Sequence, residues 1–472
     1  MTDRRHESDR RSKAMTQKQI LAMNAFDMNA ANDLGAALEA RVRQRAKLFG
    51  AASVLFYDRP IEFVRGEGCW LYDADGAAYL DAYNNVPSVG HCHPRVVDAV
   101  TRQLGQLNVH NRYLNPGITE YAERLLATLP AALSNITFTC TGSESNDLAL
   151  RLAENFTGAR GVVVTEAAYH GNTARVTEVS PSSFTNFSPP AHVRVVPAPD
   201  PKRSSPGTVS DTFAEHVSAA IADLQRCGVG LSVLLVDSIF SSDGVFADPP
   251  GFLRAAVDAV HLAGGLFIAD EVQCGFGRTG ESMWGFERHG LQPDVVTLGK
   301  PMGNGYPMGA VVTRPEILDA FCSTVGYFNT FGGSPVAAAA GRAVLEVIAQ
   351  EGLLANAQRV GAYLQRELGG LSSRHRVIGD VRGAGFYIGV ELVTDSGARR
   401  AGSPSAGSEA PELAKAVING LRKRHVLIGA AGRHGSVLKI RPPLCFSTAN
   451  ADKLVAALDE VLGEICGPGR AV

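Results

Sequence analysis

The chain has no apolar run approaching the roughly 20 residues that a membrane-crossing helix needs, so no membrane partner is expected. Nor does one sign of charge dominate, with 45 lysines and arginines against 47 acids and a net charge of -2. That balance advertises no basic face for nucleic acid. Residues 1–18 are charged and lack the apolar stretch of a secretory signal. Residues 1–33 are expected to be a disordered extension, with Met15 available as a second start. The eight cysteines include no C-x-x-C pair, which fits a reducing cytoplasm better than a disulfide framework. His91-Cys92-His93 has no further His/Cys group beside it, and adjacent ligands point different ways. GHCHP therefore reads as a turn, and no metal is expected. No tandem repeat occurs at a fixed period.

What is present is enough for a large core. At 472 residues and 45% hydrophobic, the chain can form more than one lobe. Residues 34–50 carry helix formers and end on Gly50, a plausible C-cap. Residues 61–85 alternate as a small antiparallel meander around an Asp-Gly turn, and 93–107 follow as an amphipathic helix opened by a proline. From about Tyr121 helix and strand alternate regularly, the pattern of an α/β body. Residues 179–215, rich in Ser and Pro, read as a long irregular connection, and 396–411 as a polar surface loop. Segments 375–393 and 426–446 read as strands of a second, C-terminal sheet, with 411–424 and 450–465 as its helices.

Chemistry concentrates between Gly264 and Met308. Two short apolar runs, LFIAD and DVVTLGK, read as buried strands of a parallel sheet. The first ends on Asp270 and the second on Lys300, and ligands in such sheets bind at the carboxyl ends of strands. A desolvated lysine has a lowered pKa and becomes a nucleophile toward aldehydes. A carboxylate can keep a pyridine nitrogen protonated, making the ring an electron sink. Together they follow the logic of pyridoxal phosphate. Singly, Asp270 reads better as a helix cap and Lys300 as an ordinary surface lysine. Thr141-Gly142-Ser143, between a strand and a helix, aims free backbone N–H groups at an anion, phosphate being the obvious guest. A plain hydroxyl N-cap also fits that turn.

ADEVQCGFGRTG followed by TLGKPMGNGYPMGA resembles the signature of class III pyridoxal-phosphate aminotransferases. TGSESNDLALRLA, YHGNT and FNTFGGSPVAAAAG extend the resemblance, in order, over about Phe56 to Leu462. It implies the fold type I α/β architecture: a large domain with a mostly parallel central sheet flanked by helices, and a small α+β domain. The expected parts are 34–110 and 351–472 for the small domain and 111–350 for the large one. It further implies that Lys300 carries pyridoxal 5'-phosphate as a Schiff base and moves the substrate proton. Asp270 would meet the ring nitrogen, Gln273 the phenolic oxygen and Tyr169 the ring face, with His170 beside it. Gly142 and Ser143 would hold the phosphate, with Thr330 reaching it from the other subunit of a homodimer or dimer of dimers.

The implied activity is amino transfer between an amine and a keto acid or aldehyde. Two departures bear on substrate. Many relatives carry Glu-Pro where this chain has Asp237-Ser238, so Arg441 in IRPPL would face a shorter partner, Asp237. DAYNNVPSVGHCHP, LNVHNRYLN and LKIRPPLCFS resemble a branch that includes ethanolamine-phosphate phospho-lyases, with His110, Arg112 and Arg441 as a candidate phosphate-binding set. A structural ion pair is an equal reading of Arg441.

Overall fold

A computed structural model describes residues 19–204, 207–394 and 409–466. Order begins earlier than expected. Residues assigned to a disordered extension form two 3-10 helices, Ile20–Ala22 and Met28–Leu34. Ala31 and Leu34 are buried with Phe26 and Val42, so an apolar patch holds this segment against the helix Ala36–Phe49. Residues 1–18 lie outside the described residues.

The meander consists of β1 (Phe63–Glu67), β2 (Trp70–Asp73) and β3 (Ala78–Asp81), paired antiparallel. Gly76, at φ +84°, closes the turn between the last two.

The central sheet has seven strands. They are β4 (Asn135–Thr139), β5 (Gly161–Thr165), β6 (Val193–Val196), β7 (Leu231–Val236), β8 (Leu266–Asp270), β9 (Val295–Leu298) and β10 (Gly309–Thr313). Their order is β4-β10-β9-β8-β7-β5-β6. Six run in one direction, and β10 alone opposes them, pairing antiparallel with both β9 and β4. Both faces are covered, which is why these strands are continuously apolar. Val162, Val164, Val233, Leu235 and Ile268 face the helices Gly142–Thr157 and Pro315–Cys322. Val163, Leu234, Val236, Phe267 and Ala269 face the other way, toward Val209–Arg226 and Arg254–Leu262. The period of two that separates the faces is the strand's own.

Two strands escaped the sequence reading. β6 lies inside the supposedly irregular 179–215, and β10 is five residues long in a glycine-rich stretch. Both are too short to display a period against their surroundings.

The C-terminal part supplies β11 (Ile378–Ala384), β12 (Tyr387–Leu392), β13 (Val426–Leu427), β14 (Gly429–Ala431) and β15 (Val437–Ile440). Four of them form the antiparallel sheet β11-β12-β15-β14, whereas β13 pairs parallel with β3. The N-terminal meander and the C-terminal segment are thus joined by one ladder. The loop expected at 396–411 lies largely outside the described residues.

Candidate active site

The carboxyl ends of β4, β5, β7, β8 and β9 share one edge of the sheet, and each delivers a side chain or a turn there. After β4, Thr141 caps the helix Gly142–Thr157, accepting from the Glu144 amide at 3.1 Å. Glu144 accepts in return from the Cys140 amide at 2.7 Å. The reciprocal cap fixes the helix start and leaves the amides of Gly142 and Ser143 with no acceptor inside the helix. Glycine is required around this turn for space. A Cβ on Gly142 would lie 2.9 Å from Val272, one on Gly299 3.0 Å from the Gly142 backbone, and one on Gly171 2.5 Å from Ser143 Oγ.

Asp270, at the end of β8, is buried and fully engaged. Its Oδ2 accepts from His170 Nδ1 at 2.6 Å and Asn146 Nδ2 at 3.0 Å, and its Oδ1 from the Val272 amide at 3.1 Å. Asn146 is itself held by Thr297 Oγ1, which donates to its Oδ1 at 2.7 Å. The other ring nitrogen of His170 is buried without a partner. Tyr169 is half-buried beside it, and burial raises its phenol pKa.

Lys300 opens the turn after β9. Burial, with the Arg441 guanidinium adding to it, brings its amine from 10.5 down to about 8. Gln273 Oε1 accepts from Asn85 Nδ2 at 2.8 Å and from Arg441 Nη1 at 2.7 Å. Arg441 also lies over the Tyr83 ring, 4.7 Å from its centre, and its Nε is buried without a partner. The partner expected for it, Asp237, turns instead to its own loop. Asp237 accepts from the amides of Ile239 and Ser241 at 3.0 and 3.1 Å. With one methylene fewer than glutamate it caps the turn after β7, and among the described residues it makes no ion pair with Arg441.

The remaining sequence candidates make other contacts. His110 stacks on Tyr113, and the Arg112 guanidinium sits 3.6 Å from the Phe328 ring centre. Among the described residues neither shares a hydrogen bond or ring contact with Arg441. Thr330 is exposed. Its neighbour Asn329 ties the loop to the helix start, donating to Glu144 Oε2 at 3.0 Å.

Sequence reasoning overlooked Asn85, Asn146 and Lys439. Lys439 is 3% exposed, and its side chain makes no hydrogen bond or ion pair among the described residues. On the neighbouring strands it pairs with Gly389 and Gly429. Burial, then the charges of Arg441 and Lys300, hold its amine well below the ordinary value. The available signal was its spacing: two residues before Arg441, it emerges on the same face.

The glycine-lined turn with two unspent amides, the engaged carboxylate and the desolvated lysine fit a phosphorylated pyridine aldehyde. The Aminotransferase class-III family model matches residues 56–462. The chain belongs to the class-III aminotransferases.

Two relatives are similar to the chain over most of their length. "Alanine–glyoxylate aminotransferase 2-like" of Drosophila melanogaster is 41% identical, covering 89% of this chain and 86% of the relative. "Ethanolamine-phosphate phospho-lyase homolog 1" of Caenorhabditis elegans is 38% identical, covering 89% and 92%. A solved phospholyase from Arthrobacter, in complex with phosphoethanolamine, superposes with TM-score 0.84 at 44% identity, covering 90% of this chain and 99% of that one. As a class-III aminotransferase, the protein is an enzyme that depends on pyridoxal phosphate.

Proposed function

We propose that this enzyme eliminates phosphate from a phosphorylated amino alcohol such as ethanolamine phosphate, with Lys300 as its reactive amine. The observation that carries the reading is the pair Lys439 and Arg441. They are a buried amine and a buried guanidinium on one face of β15 and its extension, with no carboxylate partner among the described residues; an arriving phosphate would favour the protonated form of the amine. Unpaired buried charge is costly. A dianionic substrate phosphate would offset that cost, and Arg441 retains a free Nε to donate to it. The likeness to a phospholyase that binds phosphoethanolamine supports the same substrate class.

Lys300 would hold the cofactor covalently, with Asp270 at the ring nitrogen, Gln273 at the phenolic oxygen and Tyr169 on the ring face. His170 and Asn146 keep Asp270 oriented. The amides of Gly142 and Ser143 would bind the cofactor phosphate, and Thr330 would reach it from a second copy in a homodimer. Pyridoxal phosphate, when bound, supplies an electron sink for the carbon that bears the substrate amine. The free Lys300 amine would take the proton from that carbon. Lys439 and Arg441 neutralise the phosphate as its bond to the adjacent carbon breaks. With water, the products are phosphate, ammonia and an aldehyde. The free cysteines are compatible with the reducing cytoplasm.

Amino transfer to a keto acid is the second reading, supported by the fly relative and by the same Lys300 and Asp270. A product assay separates the two. Phosphate release from ethanolamine phosphate without any keto acid supports the lyase; keto-acid-dependent amine exchange without phosphate release overturns it. Lys439→Gln or Arg441→Gln should raise KM for the phosphorylated amine by roughly tenfold to a hundredfold, as expected for a lost charged hydrogen bond. Cofactor absorbance should be kept in both.

A further inference from the structure

Cys69 precedes β2 in the N-terminal sheet, and Cys445 follows the Arg441-Pro442-Pro443-Leu444 turn. Their Sγ atoms are 3.4 Å apart. Cys69 is buried at 4% exposure, whereas Cys445 lines a surface groove of about 770 Å³ with Asn356, Arg359, Ser447 and Thr448. One thiol is therefore open to small reagents and the other sits directly beneath it. Both backbones are held in place. The Cys69 carbonyl accepts from the Asp81 amide at 2.8 Å. Asn356 Nδ2 donates to the carbonyls of Leu444 and Phe446 at 2.8 and 3.0 Å, on either side of Cys445. Gly90 leaves the space they occupy, since a Cβ there would lie 3.0 Å from Cys445 Sγ.

We propose that Cys69 and Cys445 form a peroxide-sensitive thiol pair that closes into a disulfide next to the active site. The Cys445 thiolate attacks one oxygen of a hydroperoxide. An S–O bond forms, the O–O bond breaks, and hydroxide (or alkoxide) leaves with a proton from solvent. Cys69 then attacks the sulfenic sulfur; the S–S bond forms, the S–O bond breaks, and water departs with the Cys69 proton. The two thiols lose two electrons and the peroxide gains them. The electrostatics point the same way. The hydrogen bond with Cys69 holds the Cys445 thiol below its ordinary pKa, and that bond together with burial pushes Cys69 up. From 3.4 Å, closure to a bond of about 2.05 Å needs a shift of roughly 1.4 Å, within reach of side-chain rotation. The disulfide would fasten the turn carrying Arg441 to the N-terminal sheet.

The test treats the holoenzyme with hydrogen peroxide, then maps peptides without reduction. The expected result is a Cys69–Cys445 linked peptide, a mass loss of two hydrogens, and reversal by dithiothreitol. Cys69→Ser should instead leave a sulfenic acid at Cys445 that dimedone traps, and Cys445→Ser should show neither product. Cofactor absorbance checks that both variants are folded. If peroxide consumes the exposed Cys92, Cys227 or Cys322 while Cys69 and Cys445 stay unlinked thiols, the proposal is overturned. A failure of Cys69→Ser to yield the dimedone adduct would overturn the order of attack.

Discussion

At the scale of single residues, the site depends on two opposite treatments of charge. Asp270 is buried but receives three hydrogen bonds, which satisfy both of its oxygens inside the protein. Lys300 gains too little from the nearby charges of Asp270 and Asp237, and burial, with Arg441 adding to it, brings its pKa to about 8. The sign follows: the neutral, nucleophilic amine gains population as pH rises through about 8 and is scarce below it. Recapture of pyridoxal phosphate by the apoenzyme, followed by visible absorbance, should therefore accelerate up to about pH 8 and then level off. An ordinary lysine would keep accelerating toward 10.5. Asp270→Asn should fold and still bind cofactor, because the amide can keep some of the same partners. Turnover should fall by roughly tenfold to a hundredfold or more, since a charged hydrogen bond of about 1.5–3 kcal/mol is lost before any electronic effect. Steady-state rates of the purified variant check this.

At the scale of elements, the strand ends aim the chemistry and the helices hold the strands. The long helix Leu353–Leu371 comes so close to the turn between β11 and β12 that a Cβ on Gly361 would lie 2.2 Å from the Gly385 carbonyl oxygen. Backbone cannot move aside as a flexible side chain would. Gly361→Ala should therefore cost about 1–3 kcal/mol by overpacking, despite alanine's better helix propensity. A lower apparent Tm in a thermal scan is the expected outcome. An unchanged Tm would mean that the C-terminal sheet can slide on this helix.

At the scale of the whole molecule, the loop that holds Thr330 is finished on one side only. Asn329 and Gly332 are tied to the same chain, yet Thr330 is exposed and Phe331 is 74% exposed. A second copy covering this loop would bury that ring and bring Thr330 to the partner's cofactor phosphate. Thr330→Ala should then weaken cofactor retention on dilution. Mixing Lys300→Ala chains with Thr330→Ala chains should restore part of the activity, because one site of each mixed dimer carries neither lesion. Absence of recovery after verified subunit exchange would mean that each site is complete within its own chain.

Asp270 and Lys300 were legible in the sequence because strand ends followed by glycine turns announce themselves locally. The parallel body was legible for the same reason, since strands covered on both faces are apolar throughout. Thr141-Gly142-Ser143 was legible as the turn that opens a helix, for its chemistry is that of adjacent backbone amides. Other features involve residues far apart in the chain, and no local pattern encodes them. β10 enters the central sheet antiparallel although nothing in its five residues states a direction. Arg441 meets Gln273, 168 positions away, and Asp237 is drawn to its own turn. Lys439 looks like any strand lysine until the sheet places glycines on either side of it and closes the core over it. Local sequence determined which groups are available; tertiary packing decided which of them lost their water, and thereby which charges a ligand must satisfy.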